Sequence, residues 1–131
     1  MIAIPVDTHH LGIKSSKLFG NVPSFVLYDL NKKKFNFKKN TGCGNGIKTA
    51  QTLRSWGVQS VVYSYLGDGP FKNMDKDGID IYYIGKEPME LTEIINGLKE
   101  NSFTKVDSEN AQTYLDPGTN SGNCECGCSH D

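Results

Sequence analysis

The run Ile2-Ala3-Ile4-Pro5-Val6 is apolar throughout, the pattern of a strand buried on both faces of a sheet. Residues 7–22 break that pattern with His9, His10, Gly12, Ser15, Ser16, Gly20 and Asn21, and read as a loop. Ser24 to Asp29 is strand-like, and Phe35 and Phe37 alternate with polar neighbours between Lys34 and Lys39. The intervening Leu30-Asn31-Lys32-Lys33 predicts a hairpin. Lys32, Lys33, Lys34, Lys38 and Lys39 give it a solvated edge that resists pairing with other chains. Beyond it the period becomes helical, with Ile47, Ala50, Leu53 and Trp56 on one face, Asn45 as N-cap and Gly57 just past the end. Val58 to Tyr65 is a β-branched, apolar strand. Pro70 opens a short helix through Phe71 and Met74 that stops at Gly78. Ile79 to Ile84 is a further strand, and Pro88 starts a helix carrying Leu91, Ile94, Ile95 and Leu98 at helical spacing.

The predicted order is strand, hairpin, helix, strand, helix, strand, helix. Strands alternating with helices imply parallel pairing through right-handed crossovers, and the hairpin makes the sheet mixed. After Lys99 the pattern fades, leaving Phe103, Val106, Tyr114 and Leu115 to dock. From Asp116 onward the chain is Pro, Gly, Asn, Ser, Cys and acids, which bury too little to offset the entropy of ordering. The expected division is an α/β domain over residues 1–115 and a disordered, Cys-rich tail over 116–131.

The 131 residues suit one domain, and 14 basic against 15 acidic residues leave no electrostatic footprint for nucleic acid. No apolar run is long enough for a membrane span, and the N-terminus lacks the features of a signal peptide. A cytoplasmic location is expected, and an exposed hairpin edge leaves monomer and homodimer both open. In that compartment thiols stay reduced, so the four cysteines read as metal or cluster ligands before disulfides.

The chemistry-bearing residues fall in three places. Cys43 sits in Gly42-Cys43-Gly44-Asn45-Gly46, after a strand and before a helix. Helix N-termini favour anions and depress a thiol's pKa, so a cysteine flanked by glycines there suits a bulky, anionic iron–sulfur cluster. The tail carries Cys124, Cys126, Cys128 and His130 within seven residues, a donor set for zinc or another thiophilic metal. Its spacing is cramped for one tetrahedral ion and suits auxiliary thiolates or metal capture. His9 and His10 follow the first strand, where open α/β sheets bind ligands, and are candidate extra ligands. Asp7 and Asp68 also follow strands there and raise a metal-dependent hydrolase reading. The helix after Gly46 offers no third acid, and no serine, zinc-protease or Cys–His constellation is present.

Several segments, in order, carry a resemblance: Ile2-Ala3-Ile4-Pro5-Val6-Asp7, Phe19-Gly20-Asn21-Val22-Pro23-Ser24-Phe25, Gly42-Cys43-Gly44-Asn45-Gly46, Trp56-Gly57-Val58, Leu66-Gly67 and Gly78-Ile79-Asp80-Ile81-Tyr82. Over about residues 1–100 the chain resembles the dinitrogenase iron-molybdenum cofactor biosynthesis family, which includes NifX-like proteins and the C-terminal domain of NifB-type proteins. Leu18 stands where members often carry a histidine. The resemblance implies a ribonuclease H-like, three-layer α/β fold around a mixed sheet of about five strands. It implies a non-catalytic carrier or scaffold that binds an iron–sulfur or iron–molybdenum type cluster and passes it between donor and acceptor proteins. Cys43 would be the anchor, Gly42, Gly44, Asn45 and Gly46 the turn around the cluster, and the tail donors auxiliary ligands. The alternative is a soft-metal binding or sensing module using the tail alone.

Overall fold

The structure, a computed structural model, describes residues 1–6, 14–42 and 44–115. Six strands form one mixed sheet in the order β3-β2-β1-β4-β5-β6. β1 (Ile2–Val6) lies at its centre, antiparallel to β2 (Ser24–Asp29) and parallel to β4 (Ser60–Tyr63). β3 (Lys34–Lys39) completes the hairpin with β2, and β5 (Asp80–Tyr83) runs parallel to β4. The register Val6↔Ser24↔Lys39 puts the ends of β1 and β3 level. The carboxyl ends of β1, β3, β4 and β5 therefore share one edge of the sheet.

Alternation along the strands sorts the core into two faces. Ala3, Phe25, Leu27, Val61, Tyr63 and Ile81 meet Ala50 and Leu53 of α1 (Gly46–Ser55) and Phe71 and Met74 of α2 (Asp68–Lys76). Ile4, Val6, Val26 and Val62 meet Ile94 and Ile95 of α3 (Leu91–Lys99) on the opposite face. The result is three layers, with helices on both sides of the sheet, as a buried parallel core requires.

The structure extends the expected sheet by one strand. β6 (Thr104–Lys105) adds antiparallel to β5, and α4 (Ala111–Tyr114) packs on the α1/α2 face. Both lie where the periodicity fades, because two- and four-residue elements are held by pairing and tertiary contact rather than by pattern. Helix starts also shift. Pro70 is the third residue of α2, behind Asp68 and Gly69, because proline is tolerated through a first turn whose N–H groups have no intrahelical acceptor. Pro88 precedes α3 by three residues. Gly57 is where expected, with φ of 78° following Trp56, a conformation that favours glycine.

Candidate functional site

Gly42, Gly44, Asn45 and Gly46 lie between the carboxyl end of β3 and the first turn of α1. Cys43, His9, His10, Asp7, Cys124, Cys126, Cys128 and His130 lie outside the described residues. Val6 and Ser15, which flank residues 7–13, are bridged to each other at the same sheet edge. The Ser15 N–H donates to Met89 O at 2.8 Å, tying this return to the start of α3.

The turn is built on two buried polar side chains that periodicity does not reveal. Asn40, directly after β3, is 4% exposed, and Thr49 of α1 is wholly buried. Asn40 Nδ2 donates to Val22 O at 2.9 Å and to Thr49 Oγ1 at 3.1 Å, while Asn40 Oδ1 accepts from the Gly42 N–H at 2.9 Å. The Thr49 hydroxyl donates to Gly42 O at 3.0 Å. The Gly44 N–H then donates to Gly20 O at 3.0 Å. The backbone on both sides of residue 43 is thus tied to α1 and to the Phe19–Val22 segment. A buried network of this kind fixes geometry only when each member finds a partner, as these do.

Packing gives two of the glycines a reason of their own. A Cβ on Gly42 would stand 2.6 Å from Lys48 C and Thr49 N, and one on Gly46 would stand 2.8 Å from Pro70 Cγ. Gly42 and Gly46 let this turn close against α1 and α2, which is a requirement of the fold before it is one of any ligand. Gly44 has φ of 96°, the left-handed region that glycine alone enters without strain.

Electrostatically the turn faces the positive end of α1. Asn45 Oδ1 accepts from the Lys48 N–H at 2.9 Å, the expected N-cap bond, and no acid occupies the first turn. An anion approaching there meets no competing carboxylate on α1. At the same sheet edge Ser64, directly after β4, is 3% exposed and its hydroxyl has no hydrogen-bond partner among the described residues. A buried, unpaired donor fits an acceptor-rich cargo, since cluster sulfurs take hydrogen bonds from their surroundings. Asp68 sits in the first turn of α2, where Lys72 pairs with it at 3.1 Å. Among the described residues no three His, Cys, Asp or Glu side chains group as metal ligands.

Sequence reading missed Asn40, Thr49 and Ser64. Only Thr49 left a signal, a polar residue beside Ala50 on the apolar face of α1.

A three-layer α/β domain that presents a glycine-rich turn and a helix N-terminus at its carboxyl edge is a ligand-binding class of fold. More particularly, the chain belongs to the dinitrogenase iron-molybdenum cofactor family, whose model matches residues 1–101. Solved structures agree. A Thermotoga protein named as NifB is 25% identical, with 89% of this chain and 97% of that chain covered and a TM-score of 0.70. The apo form of the orange protein from Desulfovibrio gigas is 20% identical, with 80% and 91% covered and a TM-score of 0.72. A Methanocaldococcus jannaschii protein named as a dinitrogenase is 19% identical, with 81% and 93% covered and a TM-score of 0.60. The last two show the fold alone. Among curated proteins none matches the chain. No helix among the described residues is long and apolar enough to cross a membrane.

Proposed function

We propose that this chain is a non-catalytic carrier or scaffold for an iron–sulfur metallocluster of the iron–molybdenum cofactor precursor type. It would receive the cluster from a donor protein and deliver it to an acceptor in the cytoplasm. The observation that carries the reading is the turn at residues 42–46, held by Asn40 and Thr49 against the acid-free first turn of α1. A thiol at position 43 is flanked by backbone fixed on both sides, and the helix terminus favours its thiolate. Cys43 is the anchor in this reading, the Gly44 and Asn45 backbone borders the cargo, and Ser64 supplies a hydrogen bond. Cys124, Cys126, Cys128 and His130 act as auxiliary ligands, with His9 and His10 as extra donors. The ribonuclease H-like assignment belongs to the same reading, supported by a hairpin flanking a parallel crossover core.

Anaerobic reconstitution with iron and sulfide tests it. The expected product carries bound iron and sulfur-to-iron charge-transfer absorption, both lost in Cys43→Ser. Colourless protein without bound iron overturns the proposal.

A further inference from the structure

The sheet ends in two unlike edges. β6 spans two residues, whereas β3 spans six and runs in unbroken register with β2, from Asp29↔Lys34 to Ser24↔Lys39. Among the described residues no strand pairs with the outer side of β3. Half of its backbone N–H and C=O groups therefore point outward, over about 20 Å. Proteins guard such edges by brevity, bulges, proline or charge. β3 relies on charge alone, since residues 30–39 hold Lys32, Lys33, Lys34, Lys38 and Lys39 and no acid, in a chain of net charge -1. Charge is a selective guard. A second copy pairing antiparallel about Asn36 would set Lys34 against Lys38, which is unfavourable, whereas an acidic strand in its place is favoured.

The two faces of β3 also differ. Lys34 and Lys38 line a cavity of about 210 Å³ together with Leu27 and Trp56. That volume suits one or two side chains rather than a whole small-molecule ligand, which needs about 300 Å³ or more. Asp29 also lines it, but its carboxylate is committed to the hairpin turn, where Oδ1 accepts from the Asn31 and Lys32 N–H groups at 2.9 and 3.2 Å. None of the hairpin lysines makes an ion pair among the described residues. On the opposite face Phe35 is 44% exposed and lies against Tyr28, with ring centroids 4.7 Å apart.

We infer that β3 is a docking edge for an extended acidic segment of a partner protein, which adds to the sheet with its acids beside Lys34 and Lys38 and an apolar side chain beside Phe35. The alternation of β3 sets that pattern, because neighbouring side chains of paired strands share a face. Lys39, the last residue of β3, directly precedes Asn40 and the turn at Gly42. A strand bound along β3 therefore ends beside the candidate site. The carrier reading makes this partner a donor or acceptor of the cluster; the docking edge itself requires no cluster.

The test uses the full-length protein and a fluorescein-labelled peptide of alternating glutamate and valine. A control peptide of the same composition carries its glutamates and valines in separate blocks. Fluorescence anisotropy measures binding, and backbone amide chemical shifts locate it. The alternating peptide is expected to bind about tenfold more tightly than the blocked one, with shifts centred on β3 and Trp56. Lys34→Glu with Lys38→Glu should weaken binding about tenfold or more, and Lys34→Gln with Lys38→Gln by less, with circular dichroism unchanged in both. N-methylation of alternate peptide residues should abolish binding in one phase and spare it in the other, which only main-chain pairing explains. Equal binding of the two peptides, shifts away from β3, or a native chain that dimerises through β3 overturns the docking edge. Iron reconstitution is scored separately. Peptide binding by a protein that takes up no iron overturns the carrier reading alone, and bound iron without peptide binding overturns the docking edge alone.

Discussion

Thr49 shows how much of the site rests on single atoms. Its hydroxyl gives its proton to Gly42 O and accepts from Asn40 Nδ2. Thr49→Val keeps the shape and removes one of two partners from each group, Gly42 O keeping the Asn45 N–H and Asn40 Nδ2 keeping Val22 O. The expected loss is about 1–3 kcal/mol, read from urea denaturation. Gly42→Ala meets the backbone of Lys48 and Thr49, which cannot swing aside as a side chain would. Its expected cost is also about 1–3 kcal/mol, with a lower thermal midpoint. Tyr63 makes a pH-dependent contribution. Burial, first, and then the neighbouring phenols Tyr83 and Tyr114 raise its pKa above the ordinary tyrosine value. The folded state therefore holds the phenolic proton more tightly than the unfolded chain does. That stability is fully present below about pH 10 and is lost as pH rises beyond it. Tyr63→Phe flattens the alkaline limb of a stability-against-pH curve, and an unchanged limb contradicts this assignment. Of these residues the sequence displayed only Gly42, as an opening for a ligand. Asn40 and Thr49 stayed hidden because their partners, Val22 O and Gly20 O, come together only through the fold.

Elements were far more legible than their anchors. The hairpin, α1 with its Asn45 cap, and the apolar stripe of α3 follow directly from alternation, capping chemistry and helical period. Asn45→Ala removes the bond to the Lys48 N–H, and the expected loss is about 1 kcal/mol. Circular dichroism should show a lowered midpoint with helix content retained. Proline marked the helices without marking their first residues. Pro70 sits inside the first turn of α2, where Asp68 completes the start with favourable charge. β6 and α4 were illegible because nothing periodic specifies them. The pairs Tyr82↔Lys105 and Tyr83↔Thr104 place β6. Asp80 bonds Lys105 at 3.1 Å and raises its pKa. Lysines on the hairpin also do more than solvate an edge, since Lys38 lies over the ring of Trp56 at 5.4 Å.

At the scale of the whole molecule, the shared direction of β1, β3, β4 and β5 gathers the candidate chemistry at one edge. Alternation in the sequence gave the two faces, but the level ends of β1 and β3 depend on hairpin register, which composition does not carry. Truncation after Leu115 should leave the unfolding midpoint unchanged, because residues 116–131 carry no large apolar side chain to bury. A shift of many degrees would show that 116–131 contributes to the fold.

The brevity of α4 bears on how firmly the end of the described chain is held. Four residues are held by one hydroxyl bond, one ring contact and the packing of Ala111 on the core, far less than secures β4 or α1. Local opening of so slight an element requires much less free energy than global unfolding. Amide protons over 111–115 should therefore exchange much faster than those of Val61 to Tyr63.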